Sequence, residues 1–354
     1  MPMSRTAQPQ HARASIPLIW AALGAVYVVW GTTYLAIRIM NETLPSLLAA
    51  GIRFLVAGGV LYAWAIRRGD RDADRPGPLQ WRSALLVGLG LIVGGNGGVV
   101  LAERTVPSGI ASLMVALVPL WMALVDRILL RHRHGWVTVA GLILGFGGAA
   151  LLVDGASGTT APLSGMLVMI GATICWTAGS LYSRTAALPA RPLVGAGMEM
   201  VVGGAALIVL AGVRGEFTQV DPAAFSARSV LALLYLIAVG SWVGFTCYVW
   251  LLRNARTPLV STYAYVNPIV AVFLGWLILG ESVGLRTVVA GGTIVGAVAL
   301  IISAGSERAT RVSSSGITQE RGDLLEGEFL LDGVGGGQEA GLLEHRGGEL
   351  EADR

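Results

Sequence analysis

The sequence predicts an all-α polytopic membrane protein of ten transmembrane helices, arranged as two inverted five-helix repeats. Three observations predict it. Apolar residues make up 54% of the chain and charged residues 13%, with a mean hydropathy of +0.67, which excludes an ordinary soluble domain and a disordered chain. Ten apolar runs, each near the ~20 residues that cross a ~30 Å hydrocarbon core, follow one another along the chain. The chain also repeats itself. An offset of 149 lays Arg104 on Arg253, Ser112 on Ser261 and Pro119 on Pro268; an offset of 146 lays Trp30 on Trp176, Leu35 on Leu181 and Arg38 on Arg184. Pro45 falls on Pro192 at 147. So little drift over such a distance fits a duplication followed by small loop changes.

The spans are Ile16–Ile37, Ser46–Ile66, Ser83–Ala102, Ser108–Val125 and Trp136–Val153 in a first repeat over 16–153. Gly165–Tyr182, Leu193–Val213, Ser229–Leu252, Leu259–Leu279 and Thr287–Ala304 form a second over 164–304. Because each half holds an odd number of spans, the second enters the membrane in the opposite orientation. All 25 basic residues are Arg, and their placement sets the direction. With the N-terminus inside, inner segments up to Arg311 hold sixteen Arg and outer segments five, so both termini are expected in the cytoplasm. The basic balance therefore reflects topology and calls for no nucleic-acid partner. The first span lacks a cleavage signature and reads as a retained helix.

Residues 1–15 form a polar N-terminal segment. The first span carries Trp30-Gly-Thr-Thr-Tyr34, an aromatic and hydroxyl patch approaching the outer interface that reads either as an interfacial anchor or as a cavity lining; Trp176, its repeat mate, approaches the inner face. Arg53 in the second span and Glu199 in the seventh are charges at membrane depth. A charge there costs ~2.5–3.5 kcal/mol on insertion scales, so each faces the bundle interior with a partner or a purpose. Counted from the span ends, their backbones lie about 10 Å apart in depth, which leaves a direct bond unassured and suits two polar points along one path. The linker from Arg67 to Arg82 mixes Arg with Asp and reads as solvated.

In the third span, four glycines flank Asn96; they thin the helix wall for close packing or for a substrate. Pro119 in the fourth span and Pro268 in the ninth remove backbone hydrogen bonds at matching places, either as static bends or as hinges. Tyr263, Tyr265 and Asn267 cluster before Pro268 in a run that lipid alone would not accommodate. Small-xxx-small spacings at Gly141/Gly145 and Gly292/Gly296 allow contact within the bundle or a homodimer. Cys175 and Cys247 lie within spans without metal-ligand spacing and read as packing residues. Beyond the last span, 305–354 forms a tail expected to be disordered and cytoplasmic; from residue 306 on it holds eleven acidic residues against five Arg, a net −6.

Taken together, Trp30-Gly-Thr-Thr-Tyr34, the Gly-Asn-Gly segment running into Val106-Pro-Ser-Gly-Ile-Ala111, Glu199-Met200 and Ser261-Thr-Tyr-Ala-Tyr-Val-Asn-Pro-Ile269 closely resemble the EamA branch of the bacterial drug/metabolite transporter superfamily, over roughly residues 15 to 304. That resemblance implies ten helices around a central cavity, alternating access, and export or import of amino acids, other metabolites or toxic compounds across the inner membrane. One departure is visible. The family often has Gly-Glu after both the fourth and ninth spans; Gly280-Glu281 keeps it, whereas the first half has Arg131-His132.

The expected function is a secondary transporter or facilitator for a small organic solute, with export as the favoured direction. No P-loop is present to drive it with ATP, and no catalytic or metal-binding cluster marks an enzyme; no cofactor is implied. The four His residues lie outside the spans, so any proton coupling would rest on Glu199. The expected path residues are Trp30, Tyr34, Arg53, Asn96, Trp176, Glu199, Tyr263, Tyr265 and Asn267. A receptor or scaffold that binds a partner through the acidic tail is the alternative.

Overall fold

The computed structural model describes residues 15–68, 75–128, 135–155, 162–255, 257–260, 262–301 and 303. The acidic tail, Arg131-His132, Ser261 and the four His residues lie outside them. Among the described residues every regular element is helical. The helices are α1 (Ile16–Met40), α2 (Ser46–Arg67), α3 (Pro78–Ala102), α4 (Ser108–Val115 and Val118–Ile128) and α5 (Trp136–Gly155). They continue as α6 (Leu163–Ser183), α7 (Pro192–Val213), α8 (Ala227–Tyr235, Leu236–Val243 and Gly244–Asn254), α9 (Thr257–Val260 and Tyr263–Leu279) and α10 (Leu285–Ile301). By length and apolar character, 7 are able to cross a membrane; Trp136–Leu151, Val266–Leu279 and Leu285–Ile301 are shorter apolar helices. In α9 the shortening has a local origin, because the helix is interrupted before Tyr263 and restarts there.

The most extensive contact between helices is that between α2 and α7. Each helix carries two glycines seven residues apart, and they meet in pairs. A Cβ added at Gly51 would lie 3.0 Å from the Gly204 carbonyl oxygen, and one at Gly58 would lie 2.9 Å from that of Gly197. Removing four side chains lets the two backbones touch, the arrangement that dispersion favours between helices when no hydrophobic force separates them from lipid. Numbering rises along one helix as it falls along the other, so the pair is antiparallel. Gly51 and Gly197 are 146 positions apart, as are Gly58 and Gly204, the offset already seen in the sequence.

The other contacts exchange under the same relation. α1 packs on α8 and α9 as α6 packs on α3 and α4, and α2 lies against α8 as α7 lies against α3. α3 and α8 are also distorted alike. Each widens into a π-helix, at Leu89–Gly97 and at Leu236–Val243, near-equivalent positions of the two halves. In α3 the widened stretch packs tightly on α6, where a Cβ at Gly90 would come within 2.7 Å of Gly179 Cα. α4 breaks at Ala116–Leu117, directly before Pro119, whereas Pro268 sits inside the continuous second segment of α9.

The α2–α7 contact makes a stability prediction. Gly204→Leu puts a side chain where even Cβ would be 2.6 Å from Leu55 N, whereas Gly59 faces open space. Overpacking of this kind costs ~1–3 kcal/mol, so Gly204→Leu lowers the midpoint of thermal unfolding in detergent, followed by size-exclusion chromatography, and Gly59→Leu leaves it nearly unchanged.

Candidate functional site

Arg53 and Glu199 are repeat mates on the two central helices, and the glycine register fixes where they sit. At 1.5 Å per residue it brings their depths to within about 5 Å, closer than span ends suggest, because the crossing point rather than the helix boundary sets depth. They still do not meet. Each lies two residues, about 200° around the helix, from a contact glycine, and so points away from the partner helix. Arg53 turns toward α8, where its Nε donates to Ser241 Oγ at 3.0 Å. The Glu199 backbone lies against Gly88 of α3. Among the described residues Glu199 has no ion pair, and its side chain is partly exposed.

The Arg53 guanidinium is buried, with 4% exposure. Besides the bond to Ser241 it lies over the Phe54 ring, 4.6 Å from the centroid, while Nη1 has no hydrogen-bond partner. Gly240 separates it from Thr33 of α1, since a Cβ there would lie 3.5 Å from Arg53 Nη2 and 3.2 Å from Thr33 Cγ2. A buried donor of this kind is costly to leave unmade, and a guanidinium offers a flat fork suited to a carboxylate.

Along α1 from that point lies an aromatic cluster. The Trp30 ring is 5.0 Å from Tyr248, 5.1 Å from Tyr263 and 5.6 Å from Phe245, mostly edge-on, and the Tyr248 and Tyr263 rings meet edge-on at 5.8 Å. Edge-on contacts match the positive ring edge to the negative face. Tyr27 and Thr262 close the cluster with a hydroxyl–hydroxyl bond. Trp30 thus faces α8 and α9 and makes no isolated anchor. Trp176 occupies the mirrored place, its ring against Gly95 of α3 as Trp30 lies against Gly244 of α8. Tyr34 packs beside the α4–α6 core.

Two amides serve the backbone. Asn96 Nδ2 donates to Leu91 O at 3.1 Å within the π-helical stretch. Asn267 is 6% exposed and, with its nitrogen facing the carbonyls, donates to Tyr27 O at 3.2 Å and Tyr263 O at 3.3 Å, tying α1 to α9. The side chain of Tyr265 lies outside the described residues.

The opposite end of the bundle, formed by the α1–α2, α3–α4, α7–α8 and α9–α10 connections, carries four Glu residues. Glu216 Oε2 accepts from Leu47 N and Leu48 N, both at 2.9 Å, and caps α2. Glu281 caps α4, accepting from Ser108 N at 2.8 Å, Ser108 Oγ at 2.9 Å and Gly109 N at 3.1 Å. Left-handed Gly280, with φ 64°, ends α9 and turns the chain so that this carboxylate reaches across the halves. Both carboxylates satisfy the unpaired N–H groups at the positive end of a helix. Glu42 pairs with Arg228 at 3.6 Å on the surface.

Glu103 is different. It follows the last residue of α3, is 0% exposed, and neither carboxylate oxygen has a hydrogen-bond partner. Arg38 bonds to its backbone carbonyl instead. Burial pushes the carboxyl well above the usual carboxylate range; the Glu281 charge adds to this, while Arg38 and Arg53 oppose it. Sequence reasoning passed over Glu103, Glu216 and Ser241. Glu103 lies one residue past the third span, and only its burial distinguishes it.

Comparison with known proteins agrees with the repeat. The model of the EamA-like transporter family matches residues 15–154 and again 163–303. The protein described as the uncharacterized inner membrane transporter YedA of Escherichia coli K12 is 38% identical over 292 residues, covering 82% of this chain and 92% of that protein. The transporter YvbV of Bacillus subtilis is 23% identical over 300 residues, covering 84% and 95%. A protein of known crystal structure, 22% identical, superposes with a TM-score of 0.55 over 81% of this chain and 96% of that one, a likeness of fold.

The two caps make a paired prediction. Loss of a capping side chain costs ~0.5–2 kcal/mol, so Glu216→Ala and Glu281→Ala each lower the thermal midpoint in detergent. Glu42→Ala, which breaks an exposed pair, changes it by less.

Proposed function

Since the chain belongs to the EamA-like transporter family, we propose that it is a secondary carrier or facilitator moving a small organic solute across a bacterial cytoplasmic membrane, in the direction of export. Its ten helices cross the bilayer as two inverted five-helix repeats with both termini in the cytoplasm, and the halves rock about the α2–α7 contact to give alternating access. The antiparallel glycine register and the exchange of contacts between halves support the inverted arrangement. The end with the four Glu residues is then the outer end, and the Trp30 cluster, held against Tyr248 and Tyr263 beside the α8–α9 connection, lies toward the cytoplasm and not at the outer interface expected from the sequence.

The observation that carries the reading is Arg53, a buried cation inside the bundle with an unmade bond at Nη1. A solute carboxylate satisfies it, and the rings of Trp30, Tyr34, Trp176 and Tyr263 offer faces for an apolar or cationic portion. Glu199, on the α3 side of the same central pair, is the acidic point of the path. Asn96 and Asn267 shape the path through the backbone, and Tyr265 continues it along α9. Pro119 and Pro268 are the proposed hinges. An amino acid fits this combination of groups.

Purified protein in proteoliposomes, assayed for counterflow of radiolabelled amino acids and of ethidium, tests it. Arg53→Gln lowers amino-acid counterflow by roughly 10- to 100-fold, the equivalent of ~1.5–3 kcal/mol for a charged hydrogen bond, and affects ethidium less. Unchanged amino-acid counterflow in a well-folded Arg53→Gln variant contradicts the assignment.

A further inference from the structure

We propose that Glu103 is a proton-binding site at the outer end of this carrier: the end closes over Glu103 only when its carboxylate has taken up a proton, and releases that proton to the outer aqueous phase on opening. The proposal rests on the transporter reading for its inside and outside, but its geometry is independent of any solute.

In the closed end the Glu103 side chain is out of contact with solvent and both oxygens lack a donor. An ionised carboxylate cannot be kept so without a large cost, whereas a neutral acid can. The helix end does not stabilise it as an anion either. It stands at the C-terminus of α3, the negative end of the helix dipole. The charged and titratable groups that face it are Arg38 and Tyr34 from α1, Arg53 from α2 and Glu281 from the α9–α10 connection. The two guanidinium charges favour the ionised form, but none of these groups gives the carboxylate a hydrogen bond. Arg38 binds the Glu103 main chain, Arg53 binds Ser241, and Glu281 spends its carboxylate on the α4 cap. Two guanidiniums nearby disfavour a metal or organic cation on the same oxygens; a proton needs no such room.

The site is placed to sense the state of the end. Glu281 crosses from the second half to cap α4, the helix that follows Glu103, so separating the halves at this end breaks that cap and admits water to Glu103. In water the acid ionises to carboxylate and a released proton; closing requires the reverse. The sign follows. Because the closed state binds the proton more tightly than the open one, closure is unopposed below the ordinary carboxylate range and becomes less favourable as pH rises through and above it. Glu199 lacks this coupling, being partly exposed and remote from the caps.

The test reads the end directly. In full-length protein with Cys175 and Cys247 replaced by Ala, Val106→Cys places a thiol in the buried α3–α4 turn, where Val106 is 0% exposed. Its rate of reaction with a membrane-impermeant maleimide, corrected with a free thiol for reagent chemistry, is followed in proteoliposomes. The rate rises about tenfold or more between about pH 5 and about pH 9, is slow and flat with pH in Glu103→Gln, and in Glu103→Asp keeps its rise with a shifted midpoint. A flat rate in the parent, or the same rise in Glu103→Gln, overturns the proposal; should Glu103→Gln fail to give a monodisperse protein, an unchanged midpoint in Glu103→Asp does so. Counterflow of radiolabelled amino acids in the same vesicles separates the two readings. Transport with pH-independent labelling sinks the proton site alone, and pH-dependent labelling without transport sinks the carrier reading alone.

Discussion

The antiparallel contact between α2 and α7 is the constraint on which the rest of the fold depends. Four glycines bring two backbones together at one depth, and that register decides where everything attached to the helices must lie. It holds Arg53 and Glu199 near the same level but turns them to opposite sides, so that two charges at membrane depth serve different neighbours instead of neutralising each other. A larger residue at any of the four positions would separate the halves. The halves repeat one another in sequence, and their remaining contacts exchange accordingly.

The two ends of the bundle are held by different forces. At the acidic end, carboxylates satisfy helix N-termini across the repeat boundary, a charge-assisted bond in a setting with little competing water. Toward the other end the Trp30 cluster is held by ring packing and a few hydroxyl bonds. Directional bonds break over a short displacement, whereas stacked rings slide. Five such bonds, two to Glu216 and three to Glu281, hold this end, and Glu103 is buried beside them without a donor.

The sequence made the helices and the duplication legible because apolar run length and a fixed offset need no knowledge of packing. The same offset contains the glycine register, since Gly51 and Gly58 recur as Gly197 and Gly204, but among 49 glycines nothing singles out those four until the helices are in contact. Arg53 and Glu199 were visible as charges inside apolar runs. Their environments were not, because the side of a helix that faces a partner depends on the crossing. Asn96 and Asn267 stand out as path residues, Asn267 equally as an amide able to serve the backbone near Pro268, and the structure bonds both to backbone carbonyls. Glu103 is the opposite case: one residue beyond a span, it resembles any other hydrophilic boundary.

The central claim is that the halves pivot about the α2–α7 contact, opening one end as the other closes. Pulsed-EPR distances between spin labels at exposed positions test it most directly, with one pair at Arg104 and Gln219 on the acidic end and another at Arg68 and Arg184 on the opposite end. The account predicts two populations for each pair in lipid, with conditions that lengthen one distance shortening the other. A single unchanging distance at both ends, or both distances lengthening together, would contradict it.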